Sequence, residues 1–253
     1  MAPAEVVLER GSDPLVATVR IERPHVGNSI SRETAEQLDA VLDTLSAQPP
    51  VGVVVAAAGD RFFCTGGDLE DYRGLHDHAS ARAVSLRMQE ILQRLALLPA
   101  LVVCAVEGVA LGGGTELALA ADLRVAGAKA TFSLPQSRLG VVPGWGGAPR
   151  LAAAVGRGRA VELLVTGRTV GAQEAGALGL VDVVVAAGHA EQTAARIIRG
   201  AEASAGVAVR AVKQALDVRT APEGARLFAD LWVGEDHRAA EQAWRSRRRS
   251  RSC

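Results

Sequence analysis

Cysteine is scarce, and the three that occur, Cys64, Cys104 and Cys253, stand at no paired or metal-ligand spacing. A disulfide framework and a cysteine-based metal site are excluded as organising features, and the thiols read as free cysteines in a reducing cytoplasm. Net charge is lacking too: 28 basic residues balance 28 acidic ones, so the chain as a whole is no polyanion binder. No uninterrupted apolar run reaches membrane-spanning length, and acidic residues come early at the N-terminus, where a signal peptide would carry a cationic and then an apolar segment. What is present is 253 residues with a hydrophobic share of 49%, enough for a large core in one domain, or in one domain with a small appendage. The expectation is a globular cytoplasmic protein with neither membrane nor nucleic acid among its partners.

Alternating apolar and polar residues over 5–10 and 15–22, on either side of Gly11, Ser12, Asp13 and Pro14, predict a hairpin that Arg23 and Pro24 end. Ser31 reads as an N-cap with Thr34 behind it, and Ala35, Leu38, Val41, Leu42 and Leu45 keep helical spacing down to Pro49. The run 51–58 is a strand apolar throughout, of the kind covered on both faces. Residues 68–78 are polar without a clear period and read as a mobile loop. An amphipathic helix over 81–98 stops at Pro99, and 101–106 is again an apolar strand. Two short extended runs follow, 123–126 and 130–134. Strand, strand, helix recurs, which points to a stack of ββα turns and away from a doubly wound βαβ sheet. From about Gly147 onward the chain reads as mainly helical: 151–165, 170–177, 189–203, 207–218, 222–233 and 236–246, with one strand over 181–185 and Pro222 at a first-turn position.

The stretch 101–149 organises the rest. Its strand passes through Glu107 and Gly108 into Leu111, Gly112, Gly113, Gly114, Thr115 and Glu116, then an Ala/Leu-rich helix start. Successive glycines let the backbone approach a bound group, and the first helical amides face that group with the positive end of the dipole. Glu116, in the first turn, leans over whatever those amides hold.

Residue for residue these stretches resemble the enoyl-CoA hydratase/isomerase (crotonase) superfamily over nearly the whole chain. Arg61, Phe62, Phe63, Cys64, Thr65, Gly66, Gly67, Asp68 and Leu69 resemble its first oxyanion loop, and 106–122 its second. The segment 132–150, with Pro135, Gln136, Leu139, Gly140, Pro143, Gly144, Trp145, Gly146 and Gly147, resembles its third block. Three blocks in order are far more specific than a lone glycine triplet. The resemblance implies an α/β fold, a crotonase-like spiral of ββα turns over 1–190, with a helical region over 191–253 that covers the site and mediates contacts in a homotrimer or dimer of trimers. It also implies a substrate that is an acyl-CoA or acyl-carrier thioester, and no cofactor or metal beyond the coenzyme A of that substrate.

By the same resemblance the amides of Gly67 and Gly113 hold the thioester carbonyl and stabilise an enolate, with Glu116 as proton carrier. The family's hydratases use two carboxylates, and the position of the second is occupied here by Gln136, which cannot exchange a proton at neutral pH. This argues against ordinary two-carboxylate hydration and for a one-carboxylate reaction: decarboxylation of an alkylmalonyl thioester, or isomerisation of an enoyl thioester. The run 139–147 is most similar to an ethylmalonyl-CoA decarboxylase-like branch. A hydratase using Glu116 with Gln136 orienting water, and a non-catalytic crotonase-like subunit, are the alternatives.

Gly66, Asp68, Gly112, Trp145 and Arg23 complete the expected site as substrate-binding residues. Within that set Asp68 reads as a brace for its loop, Trp145 either as a wall of the acyl pocket or as plain core, and Arg23, like Lys129, as a cation for the coenzyme phosphates. His76 and His78 read as exposed loop residues, Asp122 as structural, and the tail cations Arg245, Arg247, Arg248, Arg249 and Arg251 as a solvated terminus.

Overall fold

The computed structural model describes residues 4–202, 204, 206–217 and 220–250. It divides into two compact units, 1–202 and 203–253. In the first unit β1 (Val6–Arg10) and β2 (Val16–Ile21) form the expected antiparallel hairpin. Helix α1 (Arg32–Ala47) starts at a reciprocal cap, with Thr34 N donating to Ser31 Oγ (3.1 Å) and Ser31 N to Thr34 Oγ1 (3.3 Å). Such a box satisfies two amides that the helix itself leaves without acceptors.

Three ββα turns follow. The first has β3 (Gly52–Ala57), β4 (Phe62–Cys64) and α2 (His78–Ala96); the second β5 (Leu101–Val106), β6 (Val109–Leu111) and α3 (Gly113–Ala118). The third has β7 (Leu123–Gly127), β8 (Thr131–Ser133) and, after a 3-10 turn over Pro135–Leu139, α4 (Gly147–Val155). Each turn gives one strand to each of two sheets. The larger sheet runs β1-β2-β3-β5-β7-β10, with β10 at Val183–Val185, and is parallel from β2 onward; the smaller runs β4-β6-β8-β9, with β9 at Val170–Gly171. This is the expected spiral.

The apolar strands are apolar on both faces because both are covered. On one face Val54, Ala56, Val103, Ala105 and Val125 meet Ala190, Ala194 and Ile198 of α7 (Ala190–Arg199). On the other, Val53, Val55, Val102 and Cys104 join the main core with α1 and α2 residues such as Leu38, Leu42, Ile91 and Leu95. Gly52 is the closest approach, since a Cβ there would lie 2.6 Å from Ile198 Cγ2.

Two local expectations need correction. The stretch expected as a loop over 68–78 contains a 3-10 turn (Asp71–Gly74) tied to α1 by the Arg32–Asp71 ion pair, and His78 is the first residue of α2, capped by Asp77. The single helix expected over 151–165 is two, α4 and α5 (Arg157–Thr166), broken at Gly156, whose φ of 80° and ψ of 152° no helix accommodates. The sequence shows unbroken apolar spacing there, and one backbone torsion overrides it. Helix α6 (Ala172–Leu178) follows β9.

The second unit consists of α8 (Gly206–Asp217), α9 (Ala221–Trp232) and α10 (Glu235–Ser250), and Pro222 stands in the first turn of α9. Arg245 pairs with Glu241 one turn away (2.6 Å). The side chains of Arg247, Arg248 and Arg249, together with Arg251 and Cys253, lie outside the described residues. Among the described residues no helix is long and apolar enough to cross a membrane, and no cluster of His, Cys, Asp and Glu could hold a metal ion.

Candidate active site

The three sequence blocks lie far apart along the chain, yet β4, β6 and β8 are neighbouring parallel strands, with Phe62 opposite Val109 and Val109 opposite Thr131. Their carboxyl ends, at Cys64, Leu111 and Ser133, therefore release the three loops side by side, the place where parallel sheets bind ligands. Between these loops lies a cavity of about 680 Å³, within the usual size of a small-molecule site. Gly67, Asp68, Tyr72, Gly112, Gly113, Glu116, Gln136 and Trp145 line it, with Leu69, Leu75, Val84, Leu139 and Val142 supplying apolar wall.

The first two loops touch backbone to backbone. Gly66 has φ of 93°, and a Cβ there would lie 2.8 Å from the Gly113 amide nitrogen. At Gly67 a Cβ would meet the Tyr72 ring at 2.5 Å, and at Gly114 the Cys64 carbonyl oxygen at 1.9 Å. Two amides are left over by this arrangement. A parallel bridge to Ile30 uses the Gly66 carbonyl (2.8 Å from Ile30 N) and the Asp68 amide (2.9 Å to Ile30 O) and skips Gly67 N, which donates to no group among the described residues. Gly113 N opens α3, where a helix has no carbonyl one turn earlier to offer.

Glu116 is only 1% exposed. Its Oε2 accepts from Trp145 N and Gly147 N, both at 2.8 Å, and its Oε1 accepts from Gln136 Nε2 at 3.1 Å. Burial raises its proton affinity above the ordinary carboxylate range, and the amides of Gly147 and Trp145 with the Gln136 side chain offset that only in part. A buried carboxylate of this kind holds a proton more readily than an ordinary glutamate, which suits it to picking one up and returning it. The fit is close: a Cβ at Gly147 would lie 2.4 Å from Glu116 Cγ, and one at Gly113 would lie 2.4 Å from the Trp145 ring. Trp145 thus satisfies both readings, packing in the core at 6% exposure while walling the cavity.

The other acids of the cavity are already committed. Asp68 is pushed up by burial, but hydrogen bonds from Arg23 and from the Asp71 amide bring its carboxyl below the usual range. It braces its loop through Glu70 N as well. Glu70 pairs with Arg73 at 2.9 Å. Burial and the Asp71 and Asp68 charges push the Tyr72 phenol up to about 12, and burial likewise pushes the Cys64 thiol up to about 12. Both stay neutral across the physiological range.

The structure does not bring Arg23 to the cavity. Its guanidinium is 11% exposed, lies 3.0 Å from both Glu5 and Asp68, and donates to the Ser29 carbonyl at 2.6 Å, so its charge serves the loop. Lys129 is exposed in the turn between β7 and β8, and neither His76 nor His78 lines the cavity. Asp122 accepts from Val102 N (2.8 Å) and serves the larger sheet. Sequence reasoning missed the anchoring of the 144–147 turn: Ser85 and Gln89 of α2 donate to the Gly144 carbonyl at 2.6 and 3.0 Å, and Arg150 to the Trp145 carbonyl at 2.9 Å. The signal available was Arg150 itself, the one charged residue of α4, in GAPRLAAAV.

The enoyl-CoA hydratase/isomerase family profile matches residues 12–231. A short-chain-enoyl-CoA hydratase of Clostridium acetobutylicum is 33% identical over 252 residues, covering 96% of this chain and 95% of that protein. Among solved structures, an enoyl-CoA hydratase from Bacillus anthracis superposes with a TM-score of 0.87 at 31% identity, covering 96% of both chains. DspI of Pseudomonas aeruginosa superposes with a TM-score of 0.88 at 29% identity, covering 97% of this chain and 95% of the other. Fold and sequence thus agree: this chain belongs to the enoyl-CoA hydratase/isomerase family and is an acyl-CoA enzyme of the crotonase superfamily.

Proposed function

We propose that the protein acts on an acyl thioester of coenzyme A or of carrier-bound pantetheine through an enolate held by Gly67 N and Gly113 N. Glu116 is its single proton carrier, and the reaction is decarboxylation of an alkylmalonyl-type thioester or migration of an enoyl double bond. The observation that carries this is the pairing at 3.1 Å of one buried carboxylate with an amide at position 136, while among the described lining residues Asp68 is ion-paired with Arg23 and Glu70 is exposed at the surface beside Arg73. In isomerisation Glu116 takes a proton from the α carbon and returns it at the γ carbon. In decarboxylation the bond to the carboxyl carbon breaks, its electron pair enters the enolate, CO₂ leaves, and protonated Glu116 delivers the proton to the α carbon. Among the described residues the cavity lining includes no Arg, Lys or His, so a substrate carboxylate would sit among them without a counter-ion, which favours its loss. Neither route needs a resident cofactor, since coenzyme A is part of the substrate.

A second reading, hydration, is favoured by the names of the relatives, with water oriented between Glu116 Oε1 and Gln136. Purified protein assayed against enoyl-, 3-enoyl- and alkylmalonyl-thioesters, with products read by mass spectrometry, separates the two. We expect hydration of crotonyl-CoA to be slow beside decarboxylation or double-bond migration, and Gln136→Glu to raise it by adding a second proton carrier. Fast hydration by the unmodified chain would give the second reading precedence. Assembly as a homotrimer or dimer of trimers and work in the cytoplasm belong to the same proposal; buried, unpaired Cys64 and Cys104 suit a reducing compartment.

The oxyanion assignment has its own test. In a complex with a non-reactive thioester analogue, the carbonyl oxygen is expected within hydrogen-bond distance, about 2.7–3.2 Å, of both Gly67 N and Gly113 N. A carbonyl seated elsewhere in the cavity would remove the enolate from the mechanism.

A further inference from the structure

The residue the sequence passed over is Arg150. It is half-buried in α4, and among the described residues it forms no ion pair. Its Nη1 donates to the Trp145 carbonyl at 2.9 Å. A half-buried guanidinium that faces only a carbonyl is costly, because desolvation disfavours its charge with nothing to compensate. Burial does weaken this guanidinium's hold on its proton, and the Glu116 charge opposes that loss. The charge that acts on this guanidinium is the carboxylate on the far side of the 145–147 turn.

That turn is what joins them. Trp145 and Gly147 present their amides to Glu116 Oε2, while the Trp145 carbonyl points the opposite way, to Arg150. Gly146 makes this possible with φ of 82°, and a Cβ there would lie 3.1 Å from Arg150 Nη1. Arg150 reaches the turn from an outer groove that it shares with Leu86, Gln89, Gln93, Gly146 and Pro149, not from the substrate cavity.

We propose that Arg150 is a positioning residue for the reaction: its guanidinium fixes the turn whose amides hold Glu116 and supplies the positive charge against which that carboxylate ionises. The inference rests on the reading of Glu116 as the proton carrier. The other charged groups around Glu116 do not substitute for it. On the loop after β4, Asp68 is paired with Arg23, Glu70 is exposed to solvent beside Arg73, and Tyr72 there and Cys64 on β4 stay neutral. On the 135–139 turn, Arg138 is directed to the Thr166 carbonyl. On α2, Arg87 and Arg94 pair with Glu36, Asp39 and Asp43 of α1, and Glu90, in the same groove, forms no ion pair with Arg150.

The test is the pH profile of kcat/KM on the best thioester of the panel, measured for Arg150→Lys, Arg150→Gln and Arg150→Met with melting temperatures alongside. A nearby positive charge favours the ionised carboxylate, so removing it raises Glu116's proton affinity and moves to higher pH the limb that Glu116 sets, acidic where it is the base of a double-bond migration and alkaline where it is the acid of a decarboxylation. With either neutral substitution we expect a shift of about one pH unit, which is a loss of roughly tenfold below an acidic limb or a gain of roughly tenfold above an alkaline one, whereas Arg150→Lys keeps the limb in place. Both neutral variants are made so that one folded protein suffices. An unmoved limb in a folded neutral variant, or an equal shift in the Lys variant, overturns the role of Arg150. Full turnover by Glu116→Gln would instead overturn the reading on which it rests.

Discussion

Replacing Glu116 by Gln is expected to lower turnover by about 10²-fold or more while leaving thioester affinity nearly unchanged. The substitution keeps the side-chain volume in a space where Cγ already lies within 2.4 Å of a Cβ built at Gly147, so packing should survive. It does alter the hydrogen bonding: Trp145 N and Gly147 N donate to Oε2 and need an acceptor there. The Gln carbonyl can fill that place, which puts its NH₂ toward Gln136, whose own amide can turn to present oxygen. The variant can therefore keep the hydrogen bonds of the 145–147 turn and lack only the exchangeable proton. Binding of a non-reactive analogue by calorimetry beside single-turnover rates separates the two effects. Unchanged turnover would place the proton transfer on another group.

The pH dependence follows from the same carboxylate. Burial raises the proton affinity of Glu116, so the limb of kcat/KM that it sets should lie above the range of an ordinary glutamate: an acidic limb if Glu116 is the ionised base of a double-bond migration, an alkaline limb if it is the protonated acid of a decarboxylation. A limb at or below that range would mean that Glu116 is solvated in the working enzyme.

What the sequence made legible was whatever depends on chain neighbours. The hairpin, the Ser31 cap, the ββα rhythm and the two glycine loops were readable because each rests on local spacing and on glycines that a particular torsion requires. Gln136 stood out because one residue type replaced another within a motif. The break at Gly156 was not legible, since apolar spacing continues across it. Nor was the pairing of Arg23 with Glu5 and Asp68, separated by 18 and 45 positions: the β1–β2 hairpin brings Glu5 beside it, and the bridge from Ile30 to the first loop brings Asp68. The expectation that Arg23 meets substrate phosphates treated a cation as free, and whether a cation is free is a tertiary property. Arg150 went unnoticed for the converse reason: its significance lies in having no carboxylate of its own.

The second large effect is expected from a single methyl group. In Gly113→Ala the added Cβ would lie 2.4 to 2.7 Å from three atoms of the Trp145 ring. That ring cannot give way cheaply, because Trp145 is 6% exposed and its amide is bonded to Glu116. The strain must go into moving Gly113 N away from the carbonyl it would hold, or into moving the turn that anchors the carboxylate. Either displacement weakens transition-state stabilisation, and loss of one oxyanion donor typically costs about 2.7–4 kcal/mol, or 10²–10³ in kcat. We expect a fall in kcat/KM of that order, with a melting temperature lowered far less than the activity suggests. Gly158→Ala is the matched control: it lies in α5, a Cβ there meets nothing within 4 Å, and activity should be unchanged while helix propensity gains. If Gly113→Ala were as active as Gly158→Ala, the Gly113 amide would have no part in holding negative charge, and Gly67 N would have to hold it with a partner other than Gly113.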